Sequence, residues 1–168
     1  MPTPLLDRLL PHSITEFRAA AFERFADAEA LLQQDHRTAA VYLYGYAAEM
    51  VLKARWFTAF GYDPGQRIAL ADVRAAINLS PSIGFTWPVP ISAHDIGAWG
   101  QSLFRLRARL PSRAYTDPAV GTALLAFSAQ VYRSWRETLR YHKNVAYAHE
   151  VRSVRRAVAW LVDQYHAL

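Results

Sequence analysis

The chain is expected to fold as an all-α protein, an up-and-down bundle of four to five long helices. Three observations predict this. The stretch Thr38 to Phe60, TAAVYLYGYAAEMVLKARWFTAF, is apolar on nearly every side and holds no proline. A helix that is apolar all round has to be covered all round. Near the other end, Tyr147, Val151, Val154, Val158, Leu161 and Tyr165 recur at alternating spacings of four and three, the seam of an amphipathic helix. Before and between them, helix punctuation recurs: Ser13 with Glu16, Asp35, Gly61, Asp95, and Asp117 with Pro118. With 168 residues, the chain is long enough for one domain with one real core.

Residues 1–12 read as an N-terminal arm, with prolines at 2, 4 and 11, and residues 13–168 as a single domain. Ser13 and Glu16 form a capping box for a first helix whose apolar positions are Ile14, Phe17, Ala21, Phe25, Ala28 and Leu32, ending near Gln33 or Gln34. Asp35 can cap the second helix, and Gly61 stands where a left-handed C′ glycine belongs. The link between the two is short, so they should pack antiparallel. At 1.5 Å per residue the second helix spans roughly 35 Å, the depth of a small domain, so it is read as the central rod. Its longest uncharged run, Thr38 to Ala48, is too short for a membrane span.

Residues 61–91 form an enlarged connection. A short helix is expected at Arg67 to Ile77, then an ordered loop, NLSPSIGFTWPVP, pinned by Phe85 and Trp87. It is either a lid or a structural flap. Ser92 and Asp95 open a third long helix with the seam Ile96, Trp99, Leu103 and Leu106, and Arg105 and Arg109 at its far end. A turn is expected from Pro111 to Asp117. Asp117, with Pro118 at the first position, starts a fourth helix with the seam Val120, Leu124, Phe127, Val131 and Trp135; Arg133, Arg136 and Arg140 share another of its stripes. After a break at YHKN, residues 141–144, the last helix should run from about Val145 to Tyr165, with His149, Arg152 and Arg156 together on one stripe.

Composition narrows the chemistry. No cysteine is present, which excludes disulfides, thiolate metal sites and a cysteine nucleophile, and fits a cytoplasmic protein. MPTPLLDRLLPHS has neither a basic leader nor a continuous apolar run, so no signal peptide is expected. Residues 1–100 carry 8 basic and 10 acidic side chains, whereas residues 101–168 carry 11 and 4. That asymmetry points to a polyanion partner at the C-terminal end, RNA first among them, or to an arginine-rich solvated surface.

Two sets of residues have spacing that could carry chemistry. Glu49 and Lys53 are four apart with the acid first, the favourable order for a helical ion pair, and share a stripe with Tyr42, Tyr46 and Trp56. They are either a structural pair whose stems reach the surface or the lining of a site. The second set surrounds the YHKN break, where two arginine stripes meet and His142, Lys143, Asn144 and His149 lie between them. Histidine moves protons near neutrality, and arginine or lysine steadies charge on a phosphate, the minimum for metal-free RNA cleavage. The same residues also read as a solvated basic surface. No H-x-x-x-H or E-x-x-H pair, glycine-rich phosphate loop or serine-nucleophile signature is present, so no metal and no cofactor are expected.

In order, the chain offers AAVYLYGYAAEMVLKARWFTAFG, then HDIGAWGQSL, then LRYHKNVAYAHE before a final helix. In this order the strings resemble the HEPN domains of bacteria and archaea over about Ile14 to Tyr165. Ala47 to Ala54, AAEMVLKA, matches that family's A-x-E-x-x-L-K-A core, and His94, Asp95 and Ile96 match its H-D-L opening. The resemblance implies a helical bundle, commonly a homodimer, that acts on or near RNA, either as a metal-independent ribonuclease toxin or as a non-catalytic companion of a small nucleotidyltransferase. Arg140-Tyr141 matches the R-Y version of the last motif, which is usually inactive. Lys143 and His149 have the spacing of the catalytic R-x(4-6)-H, with lysine in place of arginine.

The expectation is therefore a cytoplasmic, HEPN-like, catalytically degenerate domain that binds a nucleotide, RNA or a nucleotidyltransferase partner and pairs with itself. Its anionic-ligand surface would be Arg140, Tyr141, His149, Arg152 and Arg156, buttressed by Glu49 and Lys53. Alternatives are a ribonuclease toxin, with His149 moving the proton and Lys143 or Arg140 steadying the phosphate, and a homodimerisation module whose seam uses the Trp87 loop.

Overall fold

The computed structural model describes residues 13–110 and 117–168. The arm expected at residues 1–12 and the turn expected at 111–116 lie outside them. Among the described residues there are six α-helices and no strand, only one isolated bridge between Ser13 and Arg67. The helices are α1 (Ile14–Gln33), α2 (Arg37–Phe60), α3 (Leu70–Leu79), α4 (Ile96–Arg107), α5 (Pro118–Ser134) and α6 (Ala148–Asp163). Short 3-10 turns occupy Ser80–Ile83 and Glu137–Tyr141. The chain is a packed helical bundle around α2, and no described helix is long and apolar enough to cross a membrane.

The local signals at α1 act as expected. The Ser13 hydroxyl accepts from the Glu16 N–H at 3.3 Å, and the Glu16 carboxylate accepts from the Ser13 N–H at 2.7 Å. Gly61 closes α2 at φ 100°, a conformation that disfavours any side chain. Asp35 does not cap α2. It stands in the link at φ 58°, and the cap comes from the far end of the chain. The Asn144 carboxamide oxygen accepts from the Thr38 N–H at 3.0 Å while its amide donates to the Asp35 carbonyl at 2.8 Å. The Thr38 hydroxyl in turn accepts from the N–H groups of Val145 and Ala146, at 2.7 and 2.8 Å.

Helix directions follow from which residues meet. Phe25 packs on Tyr44 and Thr15 donates to Pro64, so α1 runs antiparallel to α2. Lys53 meets Trp99 and Trp56 meets Ser102, so α4 runs parallel to α2. Arg55 lies over Tyr165, while Thr38 meets Val145 and Ala146, so α6 is parallel to α2 as well. A strictly alternating bundle is therefore not what forms. Residues 61–95 carry the chain back from the end of α2 to the level of Glu49, at its middle, and this is why the connection is long.

That return segment is a structural flap. Trp87 is 4% exposed, and its indole N–H donates to the Ser80 hydroxyl at 2.8 Å. Ser80 and Ser102 share a hydrogen bond of 3.2 Å, and the Trp56 indole donates to Ser102 at 2.9 Å. These polar atoms satisfy one another inside a cluster of Trp56, Trp87 and Trp99, so their burial costs little.

Two boundaries differ from the expected ones. α5 ends at Ser134 rather than continuing through Arg140, and Trp135 is extended at φ −117°, ψ 137°. Its fully buried indole fills a notch at Gly45, where a Cβ would overlap the ring, and donates to the Tyr42 carbonyl at 2.9 Å. Arg140 thus belongs to a separate 3-10 turn and does not share a helical stripe with Arg133. α6 begins at Ala148 because the backbones of Val145 and Ala146 are committed to Thr38. Tyr147 falls outside the seam and is 66% exposed.

Candidate functional site

The loop between α5 and α6 is tied to α2 at both ends. Trp135 is seated on Gly45 at one end, and Asn144, Val145 and Ala146 hold Thr38 at the other. Its side chains are presented outward on this fixed frame. Tyr141 is 73% exposed, and Val145 and Tyr147 are exposed too. Arg140, His142 and Lys143 are exposed between them, and the Arg140 guanidinium lies 4.8 Å from the centre of the Tyr141 ring. The Tyr147 and His149 rings stack with centroids 5.8 Å apart and an interplanar angle of 9°.

The strip continues onto α6. Val151, Val154, Val158 and Leu161 are buried, which turns His149, Arg152 and Arg156 to the exposed outer face of the helix. Arg155 lies at the edge of that face and is used structurally. Its guanidinium makes a two-pronged bond to Glu29 on α1, at 2.7 and 2.9 Å, and Glu29 also accepts from the Tyr44 hydroxyl. The Arg155 bond holds the Glu29 carboxyl below its ordinary range.

Glu49 and Lys53 are elsewhere. They face α4, not the arginines of α6. Both are buried, Glu49 at 5% and Lys53 at 7% exposure, and their charges meet at 2.5 Å. The Lys53 ammonium also lies 5.6 Å from the centre of the Trp99 ring. The partner the sequence reading did not assign is His94. Its Nδ1 is 3.1 Å from Glu49 Oε1 and 3.0 Å from Oε2. Ser92 accepts from the His94 N–H at 3.1 Å, and Asp95, which caps α4 through the Ala98 N–H at 2.8 Å, fixes the segment from the other side.

Electrostatics tie this group together. Burial alone would raise the Glu49 pKa, but the His94 hydrogen bond and the Lys53 charge outweigh it and hold the carboxyl below its ordinary value. The same hydrogen bond raises the His94 pKa against the opposing effect of its own burial. Tyr46 packs edge-on to His94 at 6.5 Å and to Tyr42 at 4.9 Å. Burial and the Tyr42 hydrogen bond push the Tyr46 hydroxyl well above its ordinary range, with Glu49 and Arg140 both close enough to act on it. Tyr141 and, less strongly, Tyr42 act on the Arg140 guanidinium and raise its pKa. One polar track therefore runs along α2 from Lys53, Glu49 and His94 through Tyr46 and Tyr42 to Arg140.

Of the residues the sequence proposed, Arg140 and Tyr141 lie at the loop end of this track, and Lys143, His149, Arg152 and Arg156 lie on the exposed strip beyond it. Glu49 and Lys53 form the predicted ion pair but buttress α4. Trp87 is buried, and the large hydrophobic side chains that its loop exposes are Val89 and Ile91. Among the described residues no three His, Asp or Glu side chains converge as metal ligands would. Fold and site together define a packed all-α domain with an aromatic and cationic strip and a separate carboxylate–imidazole centre. No family model, curated protein or solved structure matches the chain.

Proposed function

We propose that the chain is a HEPN-like helical domain that binds single-stranded RNA along the strip from Arg140 to Arg156. The observation that carries this is the interleaving of exposed aromatic and cationic side chains on an anchored backbone: Tyr141 and Tyr147 beside Arg140, Lys143, His149, Arg152 and Arg156. Single strands expose base faces that stack on aromatic rings and phosphates that pair with arginine and lysine, and neither contact needs a particular sequence. The loop frame supports the reading because its backbone is already tied to α2 at both ends, so less of the chain has to be ordered on binding. The excess of basic over acidic residues beyond position 100 supplies long-range attraction for a polyanion.

The test is fluorescence anisotropy with labelled, mixed-sequence single-stranded RNA at low salt. Arg152→Glu together with Arg156→Glu should abolish binding. Unchanged affinity would reject the strip.

A further inference from the structure

The RNA-binding strip is anchored on the first half of α2. At the other end of that helix, the residues that close α2 and those of α3 border a pocket of about 140 Å³. An apolar cavity of about 150 Å³ is large enough to take up benzene. Trp56 and Phe57, each 1% exposed, form the floor. Phe60, 46% exposed, stacks on Trp56 with ring centres 5.1 Å apart and an interplanar angle of 20°. Tyr62 follows the Gly61 turn and completes the aromatic side, its ring centre 6.2 Å from that of Phe60. The facing wall is α3, where Ala75 and Ala76 leave the space open. Longer side chains at those positions would fill it.

Asp72 is the charged member of this lining among the described residues. Its Oδ1 accepts from the Tyr62 hydroxyl at 2.9 Å and its Oδ2 from the Ala69 N–H at 2.7 Å. Neutral donors thus fix the carboxylate, and no ion pair among the described residues includes it. The end of α2 adds potential of the same sign. Its last carbonyls carry partial negative charge, and no basic side chain stands in its last turn. Aromatic faces are negative as well, and attract cations most when the site is sheltered from water.

The lining also discriminates between cations. Each Asp72 oxygen already accepts one hydrogen bond, and most of the remaining wall is aromatic or aliphatic. A primary ammonium is strongly hydrated and brings three donors, more than this wall can satisfy. A quaternary ammonium brings none, and its methyl groups suit ring and alanine surfaces. We propose that the pocket binds a small quaternary ammonium compound, with its trimethylammonium group against Phe60 and Tyr62 and Asp72 balancing the charge. The site is separate from the RNA strip and goes beyond that reading.

The test is a titration of the isotope-labelled chain with choline at millimolar concentrations, followed by backbone amide NMR. Saturable shifts should be confined to residues 56–62 and 72–79. The neutral alcohol in which carbon replaces the choline nitrogen has the same shape and should bind about 10-fold more weakly. Ethanolamine, with a primary ammonium, should bind more weakly too. Asp72→Asn keeps a side-chain acceptor and loses the charge, and should weaken choline binding by about 10-fold. Ala75→Leu, at an exposed position, should fold as wild type does and abolish binding by filling the pocket. Equal affinity for choline and the neutral alcohol, tighter binding of ethanolamine, or full choline affinity in either variant overturns the assignment. So does the lack of any saturable shift. Should Asp72→Asn fail to fold, the three ligands on wild type and Ala75→Leu decide. None of these outcomes touches the RNA-binding reading, which the arginine variants of α6 test by themselves.

Discussion

Glu49 and His94 are 45 positions apart in sequence and meet at 3.0 Å, joining the middle of α2 to the segment that opens α4. The two shifts act in opposite directions on stability. The His94 pKa is raised above its ordinary 6.5, so its contribution is complete below that pH and is lost as pH rises through the folded value. The Glu49 pKa is lowered from 4.5, so its contribution is present above that pH and is lost as pH falls through the folded value. The pair is thus worth most between 4.5 and 6.5. Thermal unfolding midpoints measured from about pH 5 to about pH 9 should fall on the alkaline side in wild type and fall less in His94→Asn. Equal slopes would refute the coupling.

Asn144 caps a helix 106 positions away. Asn144→Ala should lower stability by about 1–2 kcal/mol, seen as a lower denaturant midpoint at unchanged slope. Thr38→Val removes the acceptor for two backbone N–H groups and should cost about 1–3 kcal/mol. If both variants unfold at the wild-type midpoint, the tie contributes nothing.

Gly45 and Trp135 fit as notch and wedge. Gly45→Ala places a methyl group on the indole and should destabilise by about 1–3 kcal/mol, because the helix and the fully buried ring have little room to move. Combined with Trp135→Ala, which empties the space, the alanine at 45 should cost much less. Simple additivity in that double-mutant cycle would show that the two do not interlock.

The strip predicts a separation between stacking and charge. Tyr141→Ala and Tyr147→Ala should each weaken single-stranded RNA binding by about 1–3 kcal/mol and leave the salt dependence unchanged. Removing the charges of Arg152 and Arg156 should flatten that dependence. All four side chains are exposed, so folding should be indifferent to these changes. A steep salt slope that survives loss of both arginines would place the phosphates elsewhere.

Trp87 anchors the return segment through Ser80. Trp87→Phe keeps most of the bulk, removes the indole donor, and should cost about 1 kcal/mol; Trp87→Ala should cost about 3–5 kcal/mol. Limited proteolysis should then cut within residues 61–91 well before the bundle unfolds. Global unfolding with no early cut would show that the segment has no independent opening.

Local signals were the most readable part of this chain. The Ser13–Glu16 box, Gly61, Asp95, Asp117 with Pro118, and the Glu49–Lys53 spacing each act over four residues or fewer, and each forms as expected. What misled was periodicity carried one turn too far. Trp135 continues the α5 seam by spacing, but its ring is drawn into the Gly45 notch and the helix ends beneath it. Val145 and Ala146 continue α6 by composition, but Thr38 takes their N–H groups. The expected buttressing of the arginine surface by Glu49 and Lys53 differs from the observed geometry for a related reason. A stripe shows which residues share a face, not which neighbour that face meets. Glu49 and Lys53 therefore turned out to face α4, and Arg155, off the proposed stripe, turned out to bond Glu29. His94 was visible only as the first letter of H-D-I; a contact across 45 positions leaves no local pattern.

The Thr38–Asn144 tie also sets an order of events during synthesis. α2 leaves the ribosome with its first turn uncapped and stays so until Asn144 has been translated. The start of α2 and the outward-facing loop therefore form together, each supplying hydrogen-bond partners that the other lacks.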